Sequence, residues 1–65
     1  MIGAVRRWAH RRAVEHVEAW RIRTAEAVVA WSVEGDAQRA AAAYRAAGWH
    51  LVVAAMLAVV AGGAS

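Results

Sequence analysis

Between Ala46 and Ala64 the sequence carries no formal charge, an unbroken run of nineteen residues in a chain of only 65. A helix rises about 1.5 Å per residue, so a run of this length reaches the threshold for crossing the hydrocarbon of a bilayer. A soluble protein would instead have to bury that helix in its own core. This chain is too short to do so, because a domain of about 60 residues hides only about 60% of the surface of its unfolded form. Hydrophobic residues make up 62% of the whole, whereas soluble domains hold about 45–50%. With no cysteine, disulfides and thiolate metal sites are excluded and the redox compartment leaves no trace. The chain is therefore expected to be stable only in an assembly of copies or in a membrane.

The expected fold class is all-α, a two-helix antiparallel hairpin or one long kinked helix. Residues 1–34 read as a basic amphipathic helix, regular from about Ala4 to Val33. There is no proline, and apolar residues recur at three- and four-residue steps. One stripe follows Ile2, Val5, Ala9, Ala13, Val17, Trp20, Thr24, Val28 and Trp31, a face in search of a partner. Val14, Ile22, Val29 and Val33 fall outside it, so this helix should meet more than one neighbour. Arg11 with Glu15, Glu18 with Arg21 and Arg23 with Glu26 are spaced to support the helix as ion pairs. The pattern breaks at Gly35 and Asp36. Glycine suits the left-handed position that ends a helix, and aspartate caps the next one. Residues 37–65 read as a hydrophobic, alanine-rich helix to about Ala61, with a loose end at Gly62, Gly63 and Ser65. Small residues four apart (Ala43 and Ala47, then Ala54, Ala58 and Gly62) would let backbones approach closely. Folded back, this helix is expected to cover the first as far as about Ala9, leaving Met1–Trp8 protruding.

All eight cations are arginines, and six of them precede Thr24. Only Glu15 and Glu18 oppose them there, so that stretch carries +4 while the remainder is close to neutral. Guanidinium forks onto phosphate oxygens in a way an ammonium does not. Arg6, Arg7, Arg11 and Arg12 are the candidate phosphate or anion contacts, suited to a duplex backbone or a headgroup layer without base readout. Nothing in the first thirty residues has the apolar core of a signal peptide.

No catalytic constellation is visible. The hydroxyls Thr24, Ser32, Tyr44 and Ser65 have no histidine and carboxylate at a useful spacing. His10 and His16 are six apart, on different sides of a helix, and His50 lies on the other segment, so neither a metal site nor any cofactor is expected. Of the four tryptophans, Trp20 and Trp31 are three helical turns apart and share a face. Tyr44, Arg45, Trp49 and His50 cluster as a membrane-interface belt does. The residues expected to pack between subunits are Val17, Trp20, Val28, Trp31, Trp49, Leu51, Ala54 and Ala58.

A basic helix followed by a strongly apolar one resembles, as architecture, the small major coat proteins of filamentous and rod-shaped DNA viruses. The hairpin form looks like the coat protein of bacilliform archaeal viruses. In filamentous phages the basic residues follow the apolar helix, whereas here they precede it, which leaves the hairpin version as the closer likeness. The resemblance implies a virion subunit whose helices pack against copies of itself, with Arg6, Arg7, Arg11 and Arg12 meeting the phosphates of double-stranded DNA. A second reading is a single-pass membrane protein, an accessory subunit with its arginine-rich N-terminus in the cytoplasm and Ala46–Ala64 across the bilayer. A third is a cationic antimicrobial peptide, opposed by five acidic residues and the absence of lysine.

Overall fold

The computed structural model describes residues 2–62. Helix α1 spans Ile2–Ser32 and helix α2 spans Ala37–Gly62, so only four described residues lie outside a helix. The two pack side by side as an antiparallel hairpin, not as one kinked rod. Of the expected loose end, Gly62 is instead the last residue of α2, and Gly63 and Ser65 lie outside the described residues.

The reversal is local chemistry. Gly35 takes φ = 66°, a conformation that costs any residue with a Cβ. The N–H groups of Val33 and Glu34 both donate to the Val29 carbonyl, at 2.9 and 3.1 Å, and the Asp36 N–H donates to Ala30 at 2.8 Å. The last carbonyls of α1 are thereby occupied before the chain turns. Asp36 then caps α2, its Oδ1 accepting the Arg39 N–H at 3.0 Å. The Arg39 side chain reaches back across the linker, and its Nη1 lies 3.1 Å from both carboxylate oxygens of Glu34.

The seam between the helices is made of small residues. On α2 the buried and half-buried positions include Ala40, Ala43, Ala47, His50, Ala54, Leu57 and Ala61, alternating steps of three and four. Ala40, Ala47, Ala54 and Ala61 thus recur every seven residues, the spacing that keeps one edge of a helix against its neighbour. From α1 come Ala9, Ala13, His16, Trp20, Thr24, Ala27 and Ala30. The buried core consists of six alanines, and no large side chain is fully buried. Each buried methyl contributes about 0.8 kcal/mol, so this seam orients the helices without stabilising them strongly.

Val17 and Val28 lie in the anticipated stripe but are 39% and 49% exposed; the seam has rotated onto smaller neighbours, because side chains of alanine size let the backbones come together. For the same reason Ala58 and Gly62 are exposed while Ala54 is buried. The hairpin is a rod of 49 × 14 × 13 Å with a radius of gyration of 14.7 Å, where a compact chain of this length would have about 11 Å. Its accessible surface is 4818 Å², against about 4,000 Å² for a globular monomer of the same mass. Folding has joined the helices and left most of the oily surface outside.

Candidate assembly and anion-binding surfaces

The two helices turn very different backs to their surroundings. Beyond Arg45, the exposed residues of α2 are Gly48, Trp49, Leu51, Val52, Ala55, Met56, Ala58, Val59, Val60 and Gly62, none of them charged. The exposed surface of α1 carries Arg6, Arg7, Arg11, Arg12, Glu15, Glu18, Arg21, Arg23 and Glu26, with Trp8, Val14, Ile22 and Val29 between them. Sixteen large apolar or aromatic side chains are exposed over the two helices, and Val33 of the linker is a further one. A monomeric soluble protein rarely shows so continuous an apolar strip.

The acidic residues of α1 are all engaged. Glu15 pairs with Arg12 at 3.3 Å, replacing the expected Arg11 partner, because three residues apart proves the better reach here. Glu18 pairs with Arg21 at 3.3 Å and Glu26 with Arg23 at 3.0 Å. Among the described residues, Arg6, Arg7, Arg11 and Arg45 make no ion pair. Three of these four line one groove of about 390 Å³, together with His10 and Ala61. Ala61 belongs to the last turn of α2, so the apolar helix runs alongside the arginines and does not stop near Ala9. The N-terminal arginines flank α2 instead of protruding beyond it. Of the four candidate anion contacts, Arg6, Arg7 and Arg11 share the groove, while Arg12 is turned to Glu15.

The anticipated packing residues divide. Trp31, Trp49 and Leu51 are 64%, 65% and 47% exposed, available to a neighbour along with Val17, Val28 and Ala58. Trp20 is half-buried and Ala54 buried in the seam, so both pack chiefly within their own hairpin. Gly35 and Asp36 form the turn as described. The interface belt loses one member, since His50 faces the seam while Tyr44 and Trp49 are exposed.

One arrangement escaped the sequence. His16 and His50, on different helices, meet in the seam with Nδ1 atoms 2.9 Å apart and ring centroids 5.2 Å apart. Both rings are half-buried among alanines. Among the described residues no group of three or more His, Cys, Asp or Glu side chains is arranged to hold a metal ion.

No protein-family model matches the chain, and no curated protein or solved structure shows significant similarity to it.

Proposed function

We propose that the protein is the structural subunit of a helical homopolymer, a coat or filament protein whose arginine groove meets the phosphates of enclosed double-stranded DNA. The observation that carries this reading is the antiparallel register, with Ala61 beside Arg6, Arg7, His10 and Arg11. Helix α2 is long and apolar enough to cross a membrane, and only 11% of its apolar window is buried within the chain, unlike the core helix of a soluble protein. As a closed hairpin, however, it cannot enter hydrocarbon without carrying those guanidiniums with it. Translocon-based scales put a guanidinium at about 2.5–3.5 kcal/mol at the bilayer centre, which is an upper bound for arginines beside the last turn of α2. The apolar surface of other copies can cover the uncharged back of α2 with no cost in charge burial. Where unlike parts of successive copies meet, repetition of the contact around an axis gives a filament or tube. The ion-paired, arginine-rich side of α1 remains on a wet surface, where DNA release of counterions would drive binding.

The membrane alternative rests on the same apolar helix. It needs the hairpin to open, or the rod to lie flat at the headgroups with Arg45 and Trp49 as anchors.

One preparation separates these readings. The full chain, purified without surfactant and mixed with linear duplex DNA, is imaged by electron microscopy and assayed for phospholipid. Lipid-free filaments whose DNA content falls in high salt, while the protein polymer persists, support the coat reading. Recovery of the chain only with lipid or detergent overturns it. Replacing Arg6, Arg7 and Arg11 together by Gln should lower the salt dependence of DNA binding by about 0.9 in log–log slope per lost phosphate contact, and leave polymerisation intact.

A further inference from the structure

The His16–His50 contact has no role in that reading, and it stands independently of which surface covers α2. Two imidazole nitrogens at 2.9 Å share one hydrogen bond, which fixes the protonation pattern. One ring must present Nδ1–H and the other a bare Nδ1. The donor ring then has a bare Nε2, and the acceptor ring has Nε2–H. A first added proton can settle on the donor's Nε2, and the bond survives with its donor now charged. A second has only the acceptor's Nδ1 to go to. That removes the acceptor and sets two imidazolium rings, with centroids 5.2 Å apart, against each other in a half-buried seam.

The surroundings offer little compensation. On α1 the charged groups within a turn of His16 are Arg12, Glu15 and Glu18. Glu15 is paired to Arg12 and Glu18 to Arg21, each at 3.3 Å. Across the seam, α2 presents Ala46, Ala47, Val53 and Ala54 around His50, and no charged residue occurs from Ala46 to Gly62. The rest of the seam is mainly alanine methyls with Trp20, Thr24 and Leu57 half-buried beside them, and no large side chain is fully buried to hold it closed.

We infer that the His16–His50 pair is a pH-sensitive clasp: it holds α1 against α2 at neutral pH and releases them when both rings are protonated. The sign follows from proton counting. Opened helices can take a proton on both rings, whereas the hydrogen-bonded pair keeps its bond with only one, so the open form gains on the closed form as pH falls. Release has a specific consequence, because it frees the uncharged helix from the arginines that lie beside it.

Absence of cysteine makes the test clean. Nitroxides are attached at Val5→Cys and Val60→Cys, both exposed and at the open end of the hairpin. Labelled chain is diluted into excess unlabelled chain in EDTA-containing buffer, and the intramolecular distance is read by pulsed dipolar spectroscopy. Between pH 8 and pH 5 the closed population should fall about tenfold relative to the open one, and His16→Gln with His50→Gln should abolish the change. In parallel, solid-state ¹⁵N spectra of the unsubstituted chain at pH 8 should show one protonated and one bare Nδ1 in the pair. A distance distribution unchanged with pH, the same change persisting in the Gln variant, or two rings with equivalent Nδ1 atoms would each overturn the proposal.

Discussion

The seam and the back of α2 are both apolar, but they are built from side chains of different size. In the seam every buried side chain is an alanine, and the bulkiest contributors, Trp20, His16, His50 and Leu57, are only half-buried. On the back of α2, Trp49, Val52, Met56 and Val59 are 54–66% exposed. Small residues inside and large ones outside invert the order of a soluble domain, where large aliphatics fill the core. The lesson is that intrachain contact here sets geometry, while the large apolar side chains stay exposed, where the proposed assembly would bury them.

That contrast can be broken most sharply at Val52. Val52→Asp places a carboxylate in the middle of the uncharged strip, and an unpaired charge buried between copies costs several kcal/mol. Assembly should fail, with the critical concentration rising at least about a hundredfold in sedimentation assays, while the helical circular dichroism of detergent-dissociated chain stays unchanged. If filaments form as before, that face is not the one covered.

The seam should respond in the reverse sense. Ala47 is 3% exposed, and Ala47→Leu must force the backbones apart, an overpacking that costs about 1–3 kcal/mol. The matched change on the outer face, Ala55→Leu, should stay within about 0.5 kcal/mol. Urea titration of both variants in dissociating micelles compares them directly, and equal losses would mean that the small-residue seam has no special role.

A smaller effect is expected at the turn. No heavy atom would crowd a Cβ at Gly35, but φ = 66° strains any L side chain, so Gly35→Ala should lower hairpin stability by about 1 kcal/mol. The Glu34–Arg39 strap is exposed, and Glu34→Gln should move the same transition by less than about 1 kcal/mol. A larger loss for Glu34→Gln than for Gly35→Ala would reverse the roles assigned to strap and backbone.

How much of this the sequence disclosed follows from which residues carry unambiguous signals. Gly35 and Asp36 announced the break between the helices, because left-handed backbone and helix capping are local requirements, but whether the chain folded back or merely kinked there depended on the facing helix. The arginine-rich first helix and the uncharged second were equally plain, since charge needs no partner to be recognised. The seam was not, because a stripe traced by hydrophobicity follows Val17 and Val28 in preference to Ala27 and Ala30. Alanine is both an ordinary helix former and a contact residue, and only the facing helix tells which. Register hid the histidines in the same way. His16 lies sixteen residues before Ser32 and His50 thirteen after Ala37, within one helical turn of being opposite. That near-equality, joined to the seven-residue alanine spacing through Ala40, Ala47 and Ala54, was the signal that could have paired them.

A single nitroxide at Val52→Cys tests the account at its centre, namely that copies of the chain cover the back of α2. In lipid-free, surfactant-free buffer the label should be immobilised, shielded from a water-soluble relaxation agent, and broadened by neighbouring labels in proportion to labelling density. A narrow spectrum from a water-accessible label on a monodisperse monomer, at the concentrations where the wild-type chain is studied, would contradict it.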